Sequence, residues 1–233
     1  IKTMLDFCKI KNSKVNLFPF PYIDVESYLS EEQVEDVNLN WPQEEFFKTN
    51  PEGLSIFNLN VDNLSKLDNK TKNFWLDLLN QVVYKIIHKT LSKFFDYHKF
   101  KLEKTDLLLS FGGSMLMEVN SVGSYSMNVH SHFFHDPLWL NTTLISVSKE
   151  TYEGTSLFNT KNYNSYKDLD NFYEDVIRMG HIDKKNNFTD QLEEYVEYKK
   201  ILFTPGKVFS FMDSPLSVHG VKKFNISKKR SRR

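Results

Sequence analysis

The sequence predicts an α+β fold in which helices come first and an antiparallel sandwich or barrel follows. Three observations carry this. Apolar residues recur at three- and four-residue spacing across 71–97, the period of a helix with one buried face. From Leu107 onward the chain breaks into short runs of β-formers separated by glycine and proline turns. Aromatic residues make up 15% of the 233, with 20 Phe and 11 Tyr, enough to fill a sizeable core. No linker or internal repeat interrupts the pattern. A single domain over 1–233 is expected, helical over about 1–105 and β over about 106–233, with an insertion at about 159–200.

Phe18-Pro19-Phe20-Pro21-Tyr22-Ile23-Asp24-Val25 reads as an extended lead-in and a short strand, because each proline biases its predecessor away from helix. Ser30 stands three residues before Gln33, a capping-box spacing that opens a short helix closed by Trp41-Pro42. The stronger helix runs from about Thr71 to Tyr97, with Trp75, Leu78, Leu79, Val82, Val83, Ile86, Leu91, Phe94 and Phe95 on its apolar side. Strands are expected at Leu107–Phe111, Met115–Val119, Tyr125–His130, Thr142–Ser148 and Thr155–Phe158. The polar stretch 159–200 fits two weak helical patterns, near Leu169–Met179 and Gln191–Lys199. Strands return at Ile201–Phe203, Lys207–Met212 and Leu216–Val221.

Composition narrows the function classes. Lys plus Arg and Asp plus Glu are 30 each, so no global field draws the chain to nucleic acid or to a membrane surface. The single cysteine, Cys8, rules out an internal disulfide framework and a cysteine-based zinc cluster. No apolar run approaches the ~20 residues that cross a bilayer, and no signal-peptide pattern opens the chain. A soluble, cytoplasmic protein is the expectation.

Chemistry concentrates in the histidines. Of seven, His130, His132 and His135 crowd into one loop, while His219 lies in a strand near the C-terminus. In a strand His130 and His132 share a side, Asp136 follows within reach as an oxygen ligand, and His219 completes the set if its strand lies alongside the first. Two or three imidazoles with a carboxylate, leaving positions open, is a ligand set that redox iron uses. Four arginines occur in the chain, Arg178, Arg230, Arg232 and Arg233, and three of them follow His219 by 11 to 14 positions. A guanidinium binds a carboxylate through two parallel hydrogen bonds, which an ammonium does not. The same run is also readable as a solvated basic tail.

Taken in order, these segments resemble the Fe(II)- and 2-oxoglutarate-dependent oxygenases, in their prolyl-4-hydroxylase-like branch. The resemblance spans about 17–233. It rests on the Phe18–Val25 lead-in, Tyr28-Leu29-Ser30-Glu31-Glu32, Trp41-Pro42, Gly154-Thr155-Ser156-Leu157-Phe158, Pro205-Gly206-Lys207-Val208-Phe209-Ser210-Phe211 and Ser217-Val218-His219-Gly220-Val221. It implies a double-stranded β-helix (a jelly-roll, cupin-like core) with the N-terminal helices packed on one sheet. It further implies Fe(II) held by a His-x-Asp/Glu pair and a distal His, here His219. 2-Oxoglutarate would be anchored by a basic residue beyond it, Arg230 or Arg232, and the product would be a hydroxylated small-molecule, peptide or sugar substrate, with succinate released.

The proximal pair departs from that pattern, because His132 stands where the acid is expected and Asp136 comes four residues later. Three assignments stay open: His130 with His132, His132 with Asp136, or all three together. The same residues also resemble the metal motif of cupins that do not use 2-oxoglutarate. A non-catalytic jelly-roll binding module is the third alternative.

Overall fold

The computed structural model describes residues 7–49, 54–97, 115–119, 124–130, 141–160, 195–213, 217–225 and 231–232. Helix α1 (Phe7–Asn12) precedes strand β1 (Tyr22–Val25) and helix α2 (Glu31–Leu39). The expected capping box is present. The Gln33 amide donates to Ser30 Oγ at 3.2 Å, and the Ser30 amide donates to Gln33 Oε1 at 2.8 Å. Two orphan amides of the first turn are thereby satisfied.

The long helix is broken into three pieces: α4 (Asn69–Gln81), a π-helical turn (Val82–Ile87) and α5 (His88–Tyr97), after a short α3 (Val61–Leu64). It starts earlier than the apolar stripe predicts because the Asp68 carboxylate caps it, accepting from the amides of Lys70 and Thr71. Trp75 is buried and its indole donates to the Asn40 carbonyl at 2.8 Å, which ties α4 to the end of α2.

Two short strands, β2 (Lys48–Thr49) and β3 (Leu54–Asn58), lie where the sequence was expected to be helical. The remaining strands are β4 (Met115–Val119), β5 (Ser124–His130), β6 (Asn141–Ile145), β7 (Tyr152–Thr160), β8 (Tyr195–Phe203), β9 (Val208–Met212), β10 (His219–Asn225) and β11 (Ser231–Arg232). Strand β8 corrects the expected helix Gln191–Lys199 and shortens the expected insertion. Its residues alternate, with Val196, Tyr198 and Leu202 outward while Ile201 and Phe203 are fully buried, so burial enforces a period of two. The expected strand 107–111 and helix 169–179 lie outside the described residues.

All pairings are antiparallel, in sheets ordered β1-β9-β6, β5-β10-β7-β8 and β11-β4-β3-β2. The pairs β7·β8, β6·β9, β5·β10 and β4·β11 are nested one inside the next. The chain from β4 to β11 is therefore one long antiparallel ribbon, doubled back between β7 and β8. Rolling the ribbon sends β5, β7, β8 and β10 to one sheet and the other four strands to the two others. Those two are linked where the Val147 amide donates to the Arg232 carbonyl at 3.0 Å and the Arg232 amide donates to Ser148 Oγ at 2.6 Å.

Sheet β1-β9-β6 is covered on both faces. Along β9, Val208 and Met212 face the helices while Phe209 and Phe211 face the other sheet. The helical side packs Val34, Val37, Trp75 and Ile86 against Ile23, Val25 and Phe57. The inter-sheet side packs Phe20, Tyr22, Leu157, Ile201, Phe203, Phe209 and Phe211. Burying each such side chain contributes about 1.5–3 kcal/mol. Two glycines are required by geometry. A Cβ on Gly154 would come within 2.0 Å of the Phe203 ring, and Gly206 sits at φ +72° against the Leu29 carbonyl. Among the described residues no helix is long and apolar enough to cross a membrane.

Candidate functional site

His219 opens β10, the strand between β5 and β7, and only 5% of its surface is exposed. Its Nδ1 lies 2.7 Å from the Ser217 carbonyl oxygen. A carbonyl can only accept, so Nδ1 carries a proton, the orientation in which metal-binding imidazoles are held by a backbone carbonyl. The ring packs against Phe211 from the facing sheet, 4.8 Å between centroids at 60°.

Register brings His130, the last residue of β5, directly opposite His219. Opposed residues of an antiparallel pair share a face, with Cβ atoms about 4.5–5.5 Å apart. The backbone ladder thus puts two of the sequence-predicted ligand positions side by side, although 89 residues of chain separate them. The row continues across the sheet, since His219 is also paired with Leu157, and Leu157 with Lys199 of β8. The facing sheet presents the row Tyr22, Phe211 and Thr142.

His132 and Asp136 lie outside the described residues, as does Arg230. Among the described residues no group of three or more potential metal ligands is assembled. Arg232 is placed with the helices. Its Nη1 donates to Asn38 Oδ1 at 2.8 Å, and its guanidinium stands over the Trp41 ring at 4.8 Å.

Two polar features near the ribbon's crossing from β9 to β10 were not singled out from sequence. Asp213, 8% exposed, accepts a hydrogen bond from Thr142 Oγ1 at 2.7 Å. Only their register across β6 and β9 reveals the pair, because the sequence shows an ordinary Asp-Ser-Pro turn.

A second polar centre lies in the same inter-sheet space. Lys207 is almost fully buried and is held between Asp24 Oδ1 at 2.9 Å and Glu26 Oε1 at 2.6 Å. Thr204 also donates to Glu26. Burial pushes the Glu26 carboxyl upward, but the hydrogen bonds from Lys207 and Thr204 outweigh it and hold the group below its ordinary range. Lys199 Nζ lies 3.3 Å from the Tyr22 hydroxyl and 3.6 Å from Asp24 Oδ2, over the Tyr22 ring. Partial burial would lower its pKa. The Tyr22 hydrogen bond and the Asp24 charge more than offset that, and the ammonium form is favoured.

No family model, curated protein or solved structure matches this chain.

Proposed function

We propose that this chain is a non-haem Fe(II)- and 2-oxoglutarate-dependent oxygenase on a double-stranded β-helix, hydroxylating a small-molecule, peptide or sugar substrate. The observation that carries the reading is His219, buried and oriented through Nδ1, with His130 opposite it on the ladder. The nested β4–β11 ribbon supports the jelly roll, because a doubled ribbon rolled into two sheets is how that architecture is built.

The donor types suit a redox metal: two histidine positions lie opposite each other on neighbouring strands, and His132 or Asp136 follows His130 closely enough in sequence to add a third ligand. Fe(II) held there would supply oxygen activation coupled to the conversion of 2-oxoglutarate to succinate and CO2. The protein's own residues do the rest. Ser217 fixes the His219 tautomer, Phe211 shields the ring from water, and Thr142 holds Asp213 at the same crossing. The test is succinate release by the full chain with Fe(II), 2-oxoglutarate and a panel of candidate substrates. Substrate-stimulated succinate is expected, and none across every class would overturn the reading.

One observation favours a second reading, a cupin-type metal enzyme that does not use 2-oxoglutarate. The guanidinium of Arg232 is engaged with Trp41 and Asn38 of the helical layer, which takes one of the two expected carboxylate anchors away from the histidines.

A further inference from the structure

The helical layer carries a cleft of its own, on the side of sheet β1-β9-β6 turned away from His219. It opens between α2 and α4, has a volume of about 570 Å³, and is lined by Asp36, Asn40, Lys70, Asn73, Phe74 and Asp77. Sites for small molecules commonly span ~300–1,000 Å³. We propose that this cleft binds a free basic amino acid, a molecule of lysine or arginine, through its carboxylate and both of its cations. The inference is independent of the metal reading above.

The spacing of the lining follows from the helices. Lys70, Asn73, Phe74 and Asp77 stand at i, i+3, i+4 and i+7, so they form one stripe along α4. Seven residues at a rise of ~1.5 Å set Lys70 and Asp77 about 10 Å apart along the axis. Asp36 and Asn40, one turn apart at the end of α2, make the facing wall. Six bonds of ~1.5 Å lead from the carboxylate carbon of a lysine molecule to its side-chain nitrogen. With a charge-assisted hydrogen bond of ~2.8 Å at each end, that chain reaches from Lys70 to Asp77. Its methylenes would cross the Phe74 ring, which packs edge-on against Trp75 at 5.5 Å.

The walls are fixed before any ligand arrives. The Trp75 indole donates to the Asn40 carbonyl, and Asn40 Nδ2 donates to the Asp36 carbonyl at 2.8 Å. Such pre-organisation lowers the ordering cost of binding. Opposite charges line the cleft without cancelling each other. Among the described residues neither the Asp36 carboxylate nor the Lys70 ammonium takes part in a hydrogen bond or ion pair. Asp77 accepts from Gln81 at 3.2 Å, and a carboxylate has about four acceptor sites, so room remains. Two carboxylates and one ammonium mirror the two cations and one carboxylate of a basic amino acid. A neutral amino acid leaves one carboxylate unmatched, and a diamine sets a cation against Lys70.

The experiment is calorimetric titration of the full chain with L-lysine, L-norleucine, cadaverine and a Gly-Lys-Gly peptide blocked at both ends. Norleucine lacks the side-chain ammonium, and cadaverine lacks the carboxylate. L-Lysine should bind once per chain, at least fivefold more tightly than each of the other three. Asp77→Asn should erase its advantage over norleucine. Lys70→Met, which keeps the aliphatic stem, should erase its advantage over cadaverine. Both side chains are exposed, and either variant alone decides the matter if the other does not fold. Parent-like lysine binding by a folded variant overturns the site, as does a folded parent that binds no lysine. Tighter binding of the blocked peptide overturns the free amino acid as the ligand.

Discussion

The two polar centres inside the sandwich, Lys207 and His219, are both buried, and the chain treats them in opposite ways. Lys207 is a full charge neutralised by two carboxylates of its own chain, Asp24 and Glu26. His219 is an imidazole steered by a backbone carbonyl and set opposite a second histidine position. An internally balanced charge serves the fold, because its partners leave nothing for a ligand to add. On the function proposed above, an oriented ring opposite a second histidine position serves chemistry. Substitutions at the two centres should therefore separate stability from binding.

The largest stability loss is expected at the lysine centre. Lys207→Met leaves the half-buried Asp24 with only the more distant Lys199, and breaking a buried pair costs about 3–5 kcal/mol. The low end applies here because Lys199 remains, and a urea midpoint at constant m-value would show it. Gly206→Ala, on the turn beside Lys207, should cost about 2–3 kcal/mol by the same measurement. Its Cβ would meet the Leu29 carbonyl at 2.2 Å in a backbone conformation that disfavours side chains.

His219→Ala should behave differently. Its losses include the Ser217 hydrogen bond and the Phe211 contact, about 1–2 kcal/mol, while metal affinity should fall at least a hundredfold. A variant at His219 that unfolds as readily as Lys207→Met would erase the contrast. Ser30→Ala, remote from both centres, removes one cap and should cost about 1 kcal/mol with metal binding intact.

The smallest effect concerns pH. The Glu26 carboxyl is held below its ordinary value in the folded state. The stability it contributes is thus present above the unfolded value of ~4.3 and is lost as pH falls through the folded value. Glu26→Gln should cost under about 1 kcal/mol at pH 7, and the difference from the parent should vanish on acidification. A difference constant from pH 7 to pH 3 would contradict the ion-pair account of the lysine centre.

The two centres also differ in how far sequence reveals them. His130 and His219 stand out because imidazoles at strand ends are rare, and the antiparallel sandwich expected from turn spacing makes their pairing reasonable. Lys199, Lys207 and Asp24 belong to ordinary-looking β-runs, and the contact of Lys199 with Tyr22 crosses 177 positions of chain. Only the register of β8 exposes it. The sequence suggests a strand at Ile201–Phe203 but a helix over Gln191–Lys199, because Glu and Lys at 193–200 favour helix locally, while Ile201 and Phe203 extend the strand through the inter-sheet core. Strand β3 escaped for a related reason. Leu54, Ser55 and Phe57 are all buried, so it shows no alternation of apolar and polar residues. Caps and turns, being local, were legible: Ser30–Gln33 and Pro205-Gly206 stand as expected. The side on which Arg232 lies was not, because it depends on the pairing of Arg232 with Glu118 in β4.

The central claim is that the His219 end of the sheet is a metal site, and Mn(II) titration followed by electron paramagnetic resonance tests it most directly. The parent should bind one ion per chain, and His219→Ala should lose that ion while its unfolding midpoint stays above that of Lys207→Met. Stoichiometric binding that survives His219→Ala, or no binding by the folded parent, would contradict the account.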